Sequence, residues 1–360
     1  MKKNSTTASL FDWMDQKQND TETLVPQQIV EQPKQSEQPV AQPTLKSSEK
    51  QEIREISSEK QETPHENGSE TVTERPLVVG VDAMNLVFQL YYALPKLTSP
   101  NGEPVGVIRG FLRDLLSLRK TLPTQYLFVA FDLPDKTFRH RIHETYKANR
   151  PPAPEDLISQ ILKLRPLLAT LGIPVLAVPG FEADDLLATL AEQSVQHGRR
   201  CVIVTADKDC RQLLHEEMVR IYMIRKKRFV DVTTLREEWG VMPFQVVDYL
   251  SLVGDAADNV PGVLGIGPKS AQCLLNQFGS IERMMEQLES VTNANRRKIL
   301  RESTKLLERN RTLIQLRRDV PCELDWDAAV KPVPQSQAAE CLTSLGLAKL
   351  IPDFCGHSLL

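Results

Sequence analysis

The chain reads as an α/β protein with a mostly parallel central sheet and helices on both faces, and three observations predict this. Short apolar runs of strand length recur along the sequence: "LVVGVD" closes on Asp82, "YLFVAFD" on Asp132, "IPVLAVPGFEADD" leads to Glu182, and "CVIVTADKD" leads to Asp207 and Asp209. Between them, residues 107–118 and 157–171 repeat leucine or isoleucine at three- and four-residue spacing, the period of a helix with one buried face. Strands alternating with helices imply a parallel sheet covered on both sides. A hydrophobic content of 41% over 360 residues is ample for such a core.

The elements follow in order. Residues 16–75 are rich in Gln, Glu, Ser, Thr and Pro and nearly free of aromatics, so residues 1–75 are expected to form a disordered polar tail. The tail carries a net charge of −5, which leaves the remaining chain at +2 although the whole is −3. One apolar island, "SLFDWM" at residues 9–14, interrupts it and is a candidate docking peptide for a partner. The N-terminus has no apolar signal region, and the most apolar later stretch is broken by Asp82 and Asn85, so neither secretion nor a membrane span is expected. Six cysteines, at 201, 210, 273, 322, 341 and 355, form no C-x-x-C pair and read as reduced cytoplasmic thiols.

From residue 76 to 240 the strand and helix grammar defines a catalytic core. In open sheets of this kind ligands bind beyond the carboxyl ends of the strands, where Asp82, Asp132, Glu182 and Asp207 are expected to converge. The stretch "GFEADDLL" adds Asp184 and Asp185 at a helix start. Acids there also suit the helix dipole, so that stretch alone does not decide between a solvated cap and a site. "LVGDAADNVPG" contributes Asp255 and Asp258, spaced three residues apart. Nine carboxylates without histidine suit hard cations, Mg²⁺ or Mn²⁺, at two or more positions. Paired cations are the usual apparatus for hydrolysing phosphodiesters, and no serine or cysteine nucleophile is legible.

Basic residues supply the complement. "DKTFRHRIHETYKANRPP" carries Lys136, Arg139, Arg141, Lys147 and Arg150 directly after Asp132, a positively charged segment expected to stand beside the acids and grip phosphate. "RKKR", at residues 225–228, lies between two apolar runs and reads as a hairpin tip. "NVPGVLGIGPKSAQCLLNQFGS" is not a P-loop, because Pro268 separates Gly267 from Lys269. It reads as two helices joined by a glycine hairpin, in which Gly262, Gly265 and Gly267 allow close approach to a phosphate or cation and Lys269 opens the second helix. Residues 241–320 would form this backbone-binding subdomain, and 321–360 a C-terminal extension.

Taken together, "VDAMNLVFQLYYALP", "GEPVGVIRGFL", "VAFDLPDKTFRH", "YKANRPP", "GFEADDLLATLA", "VTADKDCRQLL" and "SLVGDAADNVPGVLGIGPKSA" resemble the 5′-nuclease family. The chain is specifically similar to the 5′→3′ exonuclease domain of bacterial DNA polymerase I, a relative of the flap endonucleases. The resemblance implies a helical arch and a C-terminal helix-hairpin-helix subdomain, and further that residues 241–320 bind duplex DNA and that residues 321–360 carry the closing helix of the nuclease domain. It places Asp82, Asp132, Glu182, Asp184 and Asp185 around a first metal region and Asp207, Asp209, Asp255 and Asp258 around a second. It further implies that Lys147 and Arg150 act on the scissile phosphate, that Tyr91 lies near the displaced base, and that the glycine hairpin holds K⁺ against duplex DNA. The expected substrate is DNA with a 5′ flap, nick or end, or an RNA–DNA hybrid. The expected protein is a free-standing monomeric nuclease of the cytoplasm, associated with the nucleoid, with the sliding clamp as candidate partner for the island. The chain departs from the family pattern at Ala83, Gln89 and Ala206, and Gln89 takes the place of an arginine beside the 5′ phosphate. Two rivals remain. A compact RNA-cleaving nuclease would not need the glycine hairpin, and a non-catalytic DNA-binding protein would be marked by lost acids, of which none is lost.

Overall fold

A computed structural model describes residues 75–330 and 335–355. The polar tail up to residue 74 with its island at 9–14, and the last five residues, lie outside the described residues. The sheet has six strands: β1 (Leu77–Asp82), β2 (Tyr126–Ala130), β3 (Val175–Leu176), β4 (Arg200–Val204), β5 (Val219–Met223) and β6 (Arg228–Val230). Their order is β3-β2-β1-β4-β5-β6. The first five in sequence are parallel and β6 runs antiparallel to β5. Residues 224–227 are the tip of that last hairpin, as the "RKKR" stretch predicts.

The chain winds from β1 outward to β3, returns across the sheet to β4, and then winds the other way. The order therefore reverses between β1 and β4, the place where an open α/β sheet leaves a crevice beyond its strand ends. Register puts Asp82 opposite Ala130 of β2, and Val81 opposite Val204 of β4, so the acids that follow these strands begin at one level.

Thirteen α-helices are described: α1 (Ala83–Ala93), α2 (Gly106–Thr121), α3 (Phe138–Ile142), α4 (Glu155–Thr170), α5 (Ala183–Gln196), α6 (Val232–Trp239), α7 (Val246–Val253), α8 (Pro268–Phe278), α9 (Ile281–Glu286), α10 (Ala294–Glu302), α11 (Thr304–Ile314), α12 (Gln335–Ser344) and α13 (Ile351–Cys355). Alternation along β1 sorts them. Leu77, Val79 and Val81 join one apolar cluster with α1, α2, α4 and the C-terminal pair α12 and α13. Val78 faces the other way and joins α5 and helices α6 to α11. Gly80 lies on this second face because α5 presses close: a Cβ there would stand 2.7 Å from Leu190 and 2.8 Å from Leu187.

The expected boundary near residue 240 is not a gap. One continuous apolar cluster runs from the sheet face through α7, α8 and α11, so the hairpin element is fastened to the core rather than tethered to it. That element is α7, a two-residue ribbon of β7 (Gly254–Asp255) against β8 (Val260–Pro261), and α8, which ends at Gly279 with φ +84°. Among the described residues no helix is long and apolar enough to cross a membrane.

Candidate active site

Strand ends and helix starts bring the acids together. Asp82 ends β1 and caps α1, accepting from the Asn85 N–H at 3.0 Å and from Thr205 Oγ1, which follows β4, at 2.9 Å. Asp132, two residues past β2, accepts the Ala183 N–H at 2.8 Å at the start of α5. Glu182 caps α5, and Asp184 projects from its first turn. After β4, Asp207 accepts the Asp209 N–H at 2.9 Å. This tight turn ties the two acids together. The turn of the β7–β8 ribbon brings Asp255 and Asp258 to them, so that carboxylate oxygens of Asp209, Asp255 and Asp258 all lie within 4.8 Å of one another.

Crowding like charges away from water raises the energy of the ionised forms. Burial, reinforced by Asp132 and Asp207, pushes Asp82 up to about 7, against the opposing hydrogen bonds from Asn85 and Thr205. Burial and the carboxylates of Asp207 and Asp82 hold Asp184 well above the ordinary carboxylate range. Burial, Asp207, Asp258 and Asp255 do the same to Asp209. One buried oxygen of Asp209, Oδ1, has no hydrogen-bond partner in the protein. An all-oxygen donor set with an orphaned carboxylate oxygen fits a hard divalent cation, which would supply the missing partner and discharge the repulsion.

Cations of the protein reach the same acids. The segment at 136–150 forms only the five-residue helix α3 and a series of turns, in place of the expected helical arch, and its end folds inward over the cluster. Lys147 Nζ lies 2.9 Å from Glu182 and 3.9 Å from Asp258, and Arg150 donates to Asp258 at 2.6 Å. Lys147 adopts a left-handed backbone, φ +57°, pinned by its N–H to the Asp258 carbonyl at 3.1 Å. Burial alone would raise Glu182, yet Lys147 and Arg139 outweigh it and hold the carboxyl at about 2.

Two expectations are corrected. Arg139 is not a surface residue for nucleic acid. It is 1% exposed, donates to Asp185 at 2.6 and 2.8 Å, and reaches the Leu313 carbonyl at 2.7 Å. Asp185, expected as a metal ligand, is fully buried. Its oxygens accept both Arg139 bonds, the Glu182 N–H at 3.2 Å and the Arg317 N–H at 2.9 Å, which leaves nothing for a cation. The helix period explains both: Asp185 turns inward as the partner of the capping box while Asp184 turns toward the cluster.

The other candidates divide similarly. Lys136, Arg141 and Lys269 are exposed. Gly265 and Gly267 open onto free space, and Gly265 has φ +79°, whereas Gly262 is a packing glycine whose Cβ would stand 2.3 Å from the Val253 carbonyl oxygen. Tyr91 ties its hydroxyl to Asp156 at 2.8 Å, and the neighbouring Tyr92 is the exposed ring at 73%. Gln89 donates to Asn85 and lines a cavity of about 100 Å³ with Thr205, Ala206, Arg225 and Lys226.

Sequence reasoning missed four residues. Tyr146 places its hydroxyl 3.2 Å from Glu182 and 2.9 Å from Asp258, bridging the two groups of acids. Thr205 donates to Asp82 and accepts from the Asp207 N–H. Lys208 pairs with Asp255 at 2.8 Å, and Cys210 donates to Asp184 at 3.3 Å. Each flanks a residue already singled out, which was the available signal.

Comparison with known proteins gives the family. The family model described as "5′-3′ exonuclease, N-terminal resolvase-like domain" matches residues 77–240, and that described as "5′-3′ exonuclease, C-terminal SAM fold" matches residues 241–337. The chain belongs to the 5′-3′ exonuclease family. A 5′-3′ exonuclease of Aquifex aeolicus is 37% identical over 274 residues, covering 76% of this chain and 93% of its own. The thermostable DNA polymerase I of Thermus thermophilus is 40% identical over 250 residues, 69% of this chain but 30% of that protein. The chain thus spans under a third of the polymerases that it matches. Among solved structures, the bacteriophage T5 5′-exonuclease with bound zinc superposes with a TM-score of 0.56 at 22% identity, covering 77% of this chain and 98% of that one. A bacteriophage T5 flap endonuclease in complex with DNA and metal ions gives 0.57 at 22%, covering 77% and 97%. At these identities the likeness establishes the fold of this exonuclease family member.

Proposed function

We propose that this chain is a metal-dependent 5′→3′ exonuclease and 5′-flap endonuclease that hydrolyses DNA phosphodiesters in primer or flap removal, acting as a monomer. The observation that carries the reading is the meeting of acids from four strand ends and one hairpin at the switch point of the sheet, with basic residues laid across them. Asp82, Asp132, Glu182 and Asp184 would hold one divalent cation, and Asp207, Asp209, Asp255 and Asp258 a second. Bound there, Mg²⁺ or Mn²⁺ supplies activation of water and charge for the departing oxygen.

The protein's own groups do the rest. Lys147 and Arg150 stand between the two sets of acids, where a scissile phosphate drawn into the cluster exchanges their carboxylate partners for its own oxygens. Fixed cations at that place stabilise the extra charge of the phosphorane-like transition state more than the ground state. Gly265 and Gly267 let duplex backbone approach the hairpin, K⁺ being the cation suited to carbonyls there, and exposed Lys136, Arg141 and Lys269 contribute attraction independent of sequence. Tyr92, beside Tyr91, offers a face on which an unpaired base can stack. The island at residues 9–14 is assigned to docking on a sliding clamp, since a short apolar peptide on a long polar tether gains effective concentration once its partner is on DNA.

The test is cleavage of labelled 5′-flap, nicked-duplex and RNA–DNA hybrid substrates side by side, with Mg²⁺ and with EDTA. The expected result is metal-dependent cutting at the 5′ side that Asp184→Asn lowers by several orders of magnitude. Undiminished cutting in EDTA, or by that variant, overturns the assignment.

A further inference from the structure

We propose that Cys210 is a positioning residue for Asp184, an inference that rests on the metal-site reading above. Asp82, Asp132, Asp207 and Asp255 are each fixed by a backbone N–H. Asp184 is held differently. Among the described residues, the hydrogen bond to its carboxylate comes from the Cys210 thiol, at 3.3 Å to Oδ1. A carboxylate on the first turn of a helix otherwise turns freely about its side-chain torsions, and each alternative rotamer withdraws an oxygen from the cluster.

The thiol is a good anchor because it cannot move. Cys210 is wholly buried in the second place of the 3₁₀ turn Asp209–Leu213. Two residues on, Gln212 nails that turn to the end of α11: its side chain donates to the Ile314 carbonyl at 3.0 Å and accepts the Leu316 N–H at 3.0 Å. The position thereby couples α5, which carries Asp184, to the turn that carries Asp207 and Asp209. Sulfur suits the place. It packs as a small apolar group against the core and still has one proton to give, whereas alanine would give none. With Oδ1 engaged by the thiol, Oδ2 is the oxygen left to a cation. The role is one of orientation, as for the outer partners that hold the ligands of other metal sites, where loss of the partner typically weakens metal binding 10- to 100-fold. A thiol is a weak donor, so the lower end of that range is expected here.

The test reads metal binding without nucleic acid. Mn²⁺ is titrated into the full-length protein and free ion is followed by electron paramagnetic resonance, for the wild type, Cys210→Ser and Cys210→Val. Valine is apolar and somewhat larger and has no donor, and serine keeps the donor. The expected result is a roughly 10-fold rise in Kd for Cys210→Val with unchanged stoichiometry, and a Kd within about threefold of wild type for Cys210→Ser. In cleavage assays the half-saturating metal concentration of Cys210→Val rises in parallel, while kcat at saturating metal stays within about threefold. Thermal melts establish that each variant is folded, and Cys210→Ala, which removes the donor without adding volume, carries the comparison should valine not be accommodated. Equal Mn²⁺ affinity in wild type and the donor-free variants overturns the role of the thiol alone. Absence of Mn²⁺ binding by the wild type overturns the metal-site reading and this inference with it.

Discussion

Asp184 and Asp185 are neighbours in sequence, and neutralising them should have opposite physical effects. Asp185→Asn removes the charge that faces Arg139 at 2.6 and 2.8 Å inside the core. Breaking a buried pair by deleting one partner typically costs about 3–5 kcal/mol, because the other charge is left uncompensated. Glu182 remains 3.5 Å from the guanidinium and the Leu313 carbonyl still accepts from it, which places the loss near the lower end, about 3 kcal/mol. At about 2–4 °C per kcal/mol for a protein of this size, the melting temperature should fall by roughly 6–12 °C. Asp184→Asn does the reverse. Its carboxyl is crowded by Asp207 and Asp82 and faces no cation in a direct pair, so the variant should melt at or above the wild-type temperature in EDTA while losing cleavage. Circular dichroism melts in EDTA, paired with single-turnover cleavage in Mg²⁺, separate the two. Equal melting temperatures for the two variants, or a fall confined to Asp184→Asn, would falsify the assignment of Asp185 to the framework and Asp184 to the site.

Four further outcomes are expected. Asp82 binds its proton up to about pH 7 in the folded protein but only to about 3.8 when unfolded, so the native state holds the extra proton between those values. Stability of the metal-free protein should therefore decline as pH rises from 5 to 8, and millimolar Mg²⁺ should restore it; melts at both pH values that show a rise in EDTA contradict the burial assigned to this acid. Lys147→Ala and Arg150→Ala should each lower single-turnover cleavage at saturating enzyme by about 100-fold or more while changing duplex affinity only severalfold, as measured by gel shift. Deleting residues 1–74 should leave kcat on short flaps unchanged, and a peptide of residues 1–20 should bind purified clamp saturably; binding unaffected by Leu10→Ala with Phe11→Ala removes the docking assignment.

The sheet was legible in the sequence because strand runs closing on acids and helices with leucine at three- and four-residue spacing are local patterns with one geometric meaning. The convergence of Asp82, Asp132, Glu182 and Asp207 followed from that topology alone. What was not legible depended on which side chains point inward. Nothing local marks Arg139 in "FRHRI" as the buried member and Arg141 as the exposed one, because the element that covers Arg139 arrives 174 residues later as the Leu313 carbonyl. Asp185 looked like a ligand for the same reason: its partners come from α3 and from residue 317. The lengths of the turns also misled, since β3 is two residues long inside an apolar run that reads as a full strand.

The buried clamp on Arg139 also bears on timing. Residues 313, 315 and 317 all contribute backbone groups to Arg139 or Asp185, and Asp258 lies far downstream of the strands whose acids it joins. A chain emerging from the ribosome can lay down β1 to β5 and already possess most of its carboxylates, yet it lacks the carbonyls and N–H that lock α3 against α5 until residue 317 has been made. The lock between α3 and α5 therefore closes among the last steps of folding, because its backbone partners are the last of these groups to be made.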